Sequence, residues 1–171
     1  MRYWFTADWH LGHDLIIPAC NRPFRGIEEM HEELVRRYNE VVDKHDAVYF
    51  LGDTVWNKKY AYHLDRLKGN KIYIAGNHDK AWLKRKHMDI WHFKAMEPGF
   101  YMAHLPLMTW PTMVHGEGHI HGHCHGTLPD ARNRIDVGVD NWKYYPVPYE
   151  EIINIFKKPL TIGMFRDTVY P

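Results

Sequence analysis

Apolar residues return along this chain in two rhythms. In the first, Ile27, Met30, Leu34, Tyr38 and Val41 recur every three or four positions with charges between them, which predicts an amphipathic helix over Ile27–His45. Glu28 and Glu29 fall in its first turn, where the positive end of the helix dipole favours them. The same spacing predicts a second helix over Lys58–Lys68, with Tyr60, Leu64 and Leu67 inward and Gly69-Asn70 as its stop. A short basic helix is expected over Lys80–His87 and a fourth over Tyr149–Lys157. The second rhythm is a set of short unbroken apolar runs: Tyr3–Ala7, Ala47–Leu51, Lys71–Ala75 and Phe100–Ala103. These predict strands buried on both faces. Alternation of the two within 171 residues, with no repeat, low-complexity tract or linker, predicts one domain over residues 1–171, of α/β or layered α+β class.

Each strand run gives way at once to polar residues. Asp8-Trp9-His10 follows the first, Gly52-Asp53 the second, Gly76-Asn77-His78-Asp79 the third and His104 the fourth. Ligands of layered α/β sheets gather beyond the carboxyl ends of the strands. One polar residue there is a solvated loop; the same arrangement at four strand ends predicts a site. Further on, His119–His125 spells HIHGHCH, with a histidine at every second position. Carboxylates, an amide and imidazoles together suit Mn, Fe, Zn, Co or Ni better than Ca or Mg. The set is too large for one ion and sufficient for two if a carboxylate bridges them.

Composition narrows the partners. Lys+Arg at 22 against Asp+Glu at 21 leave a net charge of +1, so no long nucleic acid and no membrane surface is expected as a partner. No apolar run nears the roughly 18 residues of a membrane span, and the amino terminus lacks a signal-like segment, so a soluble cytoplasmic protein is expected. Cys20 and Cys124 are expected to be reduced. The 14 histidines, by contrast, ask for a role.

Taken in order, Asp8-Trp9-His10, Gly52-Asp53, Gly76-Asn77-His78-Asp79, His104 and Gly122-His123-Cys124-His125 resemble the calcineurin-like metallophosphoesterase superfamily, over residues 8–125. The resemblance implies a two-sheet β-sandwich flanked by helices, with a dinuclear metal centre at one edge. It implies that Asp8, His10, Asp53 and His125 hold one ion and that Asp53, Asn77, His104 and His123 hold the other, with Asp53 bridging. His78 is then no ligand but stands over the substrate and assists the leaving group, and Asp79 orients its ring. The implied reaction is hydrolysis of a small phosphodiester or phosphomonoester, nucleotide-like, by a hydroxide bridging two divalent ions, Mn first among them. The chain looks most like the small single-domain phosphoesterases of bacteria and their phages. It departs from the protein Ser/Thr phosphatases, whose Gly-Asp-x-x-Asp-Arg-Gly is here Gly52-Asp-Thr-Val-Trp-Asn-Lys58, which argues against protein dephosphorylation.

Ordinary readings stand beside these. His92 and His115 compete with His104, which alone ends a clean apolar run. His13 either touches substrate phosphate or makes a local hydrogen bond. Lys80–His87, with Trp82 as a stacking platform, either grips phosphate or is a solvated face, and Arg22 and Arg25 divide the same way. Cys124 is expected to pack away from the site by strand alternation. His121 is expected to orient a ligand or touch phosphate, and His119 to be structural. The alternative function is a non-catalytic metal-binding scaffold, which would be expected to have lost ligands or His78; this chain keeps both. A third reading, in which the histidines only buffer metal, predicts loose, non-stoichiometric uptake.

Overall fold

In the computed structural model, which describes residues 1–79, 90–129, 131 and 133–157, all four apolar runs are strands. The strands are β1 (Tyr3–Thr6), β2 (Ala47–Leu51), β3 (Asn70–Ile74), β4 (Ile90–Phe93), β5 (Phe100–Ala103), β6 (Gly118–His121), β7 (Arg134–Asp136) and β8 (Val147–Pro148). Among the described residues three α-helices accompany them: α1 (Ile16–Ala19), α2 (Ile27–Val41) and α3 (Tyr149–Lys157). They build two four-stranded mixed sheets, ordered β3-β2-β1-β8 and β4-β5-β6-β7. In the first, β1, β2 and β3 run parallel and β8 closes the far side of β1 antiparallel. In the second, β5, β6 and β7 run parallel and β4 is antiparallel to β5. Two sheets flanked by helices are the layered α/β architecture expected from the sequence.

Alternation along the strands sorts their side chains into two cores. Trp4, Val48 and Phe50 join α2, whose Met30, Leu34 and Tyr38 are fully buried. Phe5, Ala7 and Leu51 point the other way and meet Phe93, Phe100, Met102, Ile120 and Ile135 of the second sheet. Phe5 anchors this layer, with its ring 5.4 Å from Tyr49, 5.4 Å from Phe93 and 5.2 Å from Phe100. Such aromatic pairs contribute roughly 0.5–1.5 kcal/mol beyond the area they bury. Tyr149, Ile152, Ile153 and Ile155 of α3 complete the second core.

Three expectations need adjustment. Helix α2 stops at Val41, short of His45, because Val42 is extended and the Asp46 carboxylate accepts from the Asp43 amide to form the turn into β2. Lys58–Arg66 is a 3-10 helix, capped by Asn57, with His63 and Leu64 as its buried residues. Strand β3 is half-exposed along most of its length, since it lies at a sheet edge with one neighbour only. The basic helix expected over Lys80–His87 lies outside the described residues.

The parallel strands of both sheets deliver their carboxyl ends to one edge of the sandwich. There the sheets are stitched together by a parallel bridge between Ala7 and Gly138, in which the Val139 amide donates to Ala7 O at 3.1 Å.

Candidate metal centre

The loops leaving these strands are bent in an unusual way. Asp8, His10, Asp53, His123 and His125 all have left-handed backbone, with φ of 62°, 53°, 51°, 71° and 47°. For residues with a Cβ this conformation is uncommon and costs of order 1–3 kcal/mol, and it concentrates where function needs it. Hydrogen bonds between neighbouring loops hold it in place: the Asp8 amide donates to Gly52 O at 3.1 Å and the His10 amide to Asp53 O at 2.9 Å. The Asp79 carboxylate adds a knot, accepting from the amides of Asp53 (2.9 Å), Gly76 (2.8 Å) and Thr54 (3.0 Å). Its two oxygens are thus engaged by the loops after β2 and β3, where the resemblance had implied contact with the His78 ring. Gly122 lets the backbone approach closely, since a Cβ there would lie 2.7 Å from Asp8 Oδ2 and 2.5 Å from the Ala7 Cβ.

The result is two adjoining groups of donor atoms. Asp8, His10 and His125 each bring one such atom within 4.8 Å of the others, and so do Asp53, His104 and His123. Asp53 Oδ2 faces both groups, 3.6 Å from His10 Nε2 and 3.3 Å from His104 Nε2. Asn77 belongs to the second group: its Oδ1 is 2.8 Å from His104 Nε2 and 3.0 Å from His123 Nδ1. Donors about 2.1 Å from a shared ion lie roughly 3 Å from one another, which these separations match. His104 donates from Nδ1 to Leu51 O at 2.8 Å, which turns the Nε2 lone pair into the group.

Two further observations fit divalent cations. Asp8 Oδ1 and His10 Nε2 are buried without a hydrogen-bond partner among the described residues. An orphaned buried acceptor ordinarily costs about 1–3 kcal/mol, so such groups call for a ligand. The charge balance points the same way. Burial, followed by the nearby Asp136, Asp53 and Asp140, holds the Asp8 carboxyl well above its ordinary range. Burial alone would also raise Asp53, but the adjoining His104, the His78 amide and His10 outweigh it and bring that carboxyl to about 2. Desolvation pushes His10 down to about 3 and His121 to about 4, and burial and His104 lower His123, so these imidazoles are neutral near pH 7 with lone pairs available.

His78 sits differently. It is exposed at the rim, its amide donates to Asp53 Oδ1 at 2.8 Å, and its ring lies 5.9 Å from His10 and 4.9 Å from Trp56. His13 stacks on Trp56 at 3.9 Å, with Nδ1 3.4 Å from His10 Nδ1. His121 is buried next to the site and donates from Nδ1 to Gly122 O at 2.7 Å. His119 is fully buried and accepts from the Leu107 amide, a packing contact. Of the competitors, His92 pairs with Glu117 at 2.8 Å and stacks on Tyr101, while His115 is exposed in a short 3-10 turn, Met113–His115. Cys124 does not follow strand alternation, because β6 ends at His121 and the chain turns there, with the Cys124 amide donating to Gly122 O.

Sequence reasoning missed what stands behind His125. Its Nδ1 donates to Asp140 Oδ2 at 2.7 Å, and Arg22 clamps the same carboxylate, Nε to Oδ1 and Nη2 to Oδ2, both at 2.8 Å. Burial alone would raise Asp140, but His125 and Arg22 outweigh it and hold the carboxyl below its ordinary value. Arg22 is therefore neither a phosphate grip nor a solvated residue; it is buried and also donates to Asp8 O at 2.7 Å. Arg25 is exposed and pairs with Glu29. The only sequence signal was Arg22 itself, between Asn21 and Pro23 in an otherwise ordinary turn.

Comparison with known proteins shows the family and the fold. Residues 1–161 match the family described as calcineurin-like phosphoesterase. An uncharacterised protein of Methanocaldococcus jannaschii is 32% identical over 177 residues, covering 97% of each chain. The Gene 66 protein of Mycobacterium phage L5 is 25% identical, covering 81% of this chain and 86% of its own. A crystal structure of a protein of unknown function from Aquifex aeolicus shares the fold, with a TM-score of 0.71 at 22% identity, over 90% of this chain and 98% of that one. Among the described residues no helix is long and apolar enough to cross a membrane.

Proposed function

The chain belongs to the calcineurin-like phosphoesterase family, and from that membership we propose that it hydrolyses a small phosphodiester or phosphomonoester, nucleotide-like in size, with two divalent ions as cofactors. In this reading Asp8, His10, Asp53 and His125 hold one ion and Asp53, Asn77, His104 and His123 the other. Mn²⁺ is the ion we propose first, given the mix of oxygen and nitrogen donors. The carrying observation is the pair of adjoining donor groups with Asp53 Oδ2 facing both. The ions, when bound, would supply Lewis acidity toward the phosphoryl oxygens and an activated water for in-line attack.

The remaining work falls to the protein's own groups. His78, exposed at the rim and tied by its amide to Asp53, is placed to give a proton to the departing oxygen, an effect worth about 10²–10⁴-fold. Asp79 ties the loops that carry Asp53 and Gly76, which holds the turn bearing His78 against the Asp53 loop. The histidines that desolvation keeps neutral can bind metal without first losing a proton.

The test is a panel of aryl phosphomonoesters and phosphodiesters assayed with added Mn²⁺. His78→Ala should lower kcat by about 10²–10⁴-fold while metal content is kept. Asp53→Asn should lose both activity and stoichiometric metal. Full activity in both variants would sink the proposal.

A further inference from the structure

The Asp140 carboxylate, with its side chain only 7% exposed, sits between two partners, and both of its oxygens are engaged. Oδ1 accepts from Arg22 Nε, and Oδ2 accepts from Arg22 Nη2 and from His125 Nδ1. Cys20, His125 and Asp140 also bring donor atoms within 4.8 Å of one another, which on distance alone is a third candidate metal site. A cation there would face the Arg22 guanidinium across a carboxylate that already accepts three hydrogen bonds, so the charge balance disfavours it. The arrangement does something else. An imidazole that donates from Nδ1 to a carboxylate is fixed in one tautomer, with its Nε2 lone pair aimed away. One ring nitrogen of His125 lies within 4.8 Å of donor atoms of Asp8 and His10, and with Nδ1 engaged by Asp140 the nitrogen free to serve that group is Nε2. Arg22 extends the tie, because the same guanidinium donates to Asp8 O (2.7 Å) and Trp9 O (3.3 Å), the backbone of the loop that carries Asp8 and His10. Among the described residues no carboxylate backs an imidazole of the second group in this way: His104 leans on a backbone carbonyl, Asn77 and His123 are exposed, and Asp79 accepts only from backbone amides there.

We propose that Asp140 and Arg22 are positioning residues for the subsite formed by Asp8, His10 and His125, setting the tautomer of His125 and the spacing of its loop from Asp8, and so making this subsite the tighter of the two. The inference rests on the two-ion reading above, but it is tested by ion binding and ring protonation, not by hydrolysis, so it can stand or fall whether or not a phosphoester is the substrate.

Two measurements decide it. In the wild-type metal-free protein, long-range ¹H–¹⁵N spectra of the histidine rings should show His125 protonated at Nδ1; protonation at Nε2 overturns the proposal without recourse to any variant. The apo full-length chain is then titrated with Co²⁺, followed calorimetrically and by its visible absorption. The wild type should take up two ions in distinguishable steps. Asp140→Asn and Arg22→Lys should each weaken the tighter step by about 10–100-fold and leave the weaker step within about twofold. Equal weakening of both steps, or unchanged affinities in a variant whose apo melting temperature is retained, would show that the pair serves the fold alone.

Discussion

His31 is buried in α2, yet its Nε2 accepts from the Gly12 amide at 3.0 Å, so the ring supports the loop that carries His10 and His13 only while it is neutral. Desolvation, aided by the neighbouring His63, holds its pKa near 4, and burial does the same for His119, also near 4. The unfolded chain takes up these protons near pH 6.5, and the folded chain only near 4. Between those values the unfolded state binds more protons. The stabilisation is therefore fully present above pH 6.5 and is lost as the pH falls through 4. Melting temperatures of the metal-free protein should drop across that window, with each such histidine contributing on the order of 1 kcal/mol per pH unit. His31→Gln can still accept from Gly12 but does not titrate, so it should flatten the slope. An unchanged slope would mean that the other histidines carry the whole effect.

Asp79 shows how the connections between strands hold the site. Its carboxylate satisfies three amides at the ends of β2 and β3. In Asp79→Ala those buried donors lose their acceptor, and leaving such groups unsatisfied costs about 1–3 kcal/mol each. We expect a lower melting temperature and weaker metal binding, with whatever activity remains keeping the pH profile of the wild type. A shifted profile would instead put Asp79 on the His78 ring. The same loops explain what could be read in advance. Runs such as Ala47–Leu51 declare themselves because burial on both faces leaves no polar position, and the donors follow them directly in sequence. Strands β4, β7 and β8 were not foreseen: β4 is interrupted by His92, β7 has three residues and β8 contains a proline, so each exists through its neighbours more than through its own composition. Asp140 was hidden for a related reason. Its meaning comes from Arg22, 118 positions away, and a contact that distant leaves no periodicity behind.

Every proposed ligand lies in a loop, and the loops belong to two sheets that meet along one edge. Ions that bind only this assembled edge stabilise the folded chain by mass action, by about 2.7 kcal/mol when free ion is a hundredfold above Kd. Stripping metal with a chelator should therefore lower the melting temperature by roughly 5–10 °C, and adding Mn²⁺ back should restore it. A chelated protein that melts at the same temperature would indicate that the edge is held by protein contacts alone.

The place of β8 has a consequence for how such a chain is made. Val147 and Pro148 pair with Phe5 and Trp4, so the first sheet is closed by a strand that follows its other three strands, and all the proposed donors, along the chain. By the time His125 has emerged all the proposed donors exist, yet β1 still has one side open, a row of unpaired amides and carbonyls able to accept a foreign strand. The nascent protein thus passes through an interval in which the donors have been made but the sheet is not yet sealed against its neighbours, and the later arrival of two residues ends it.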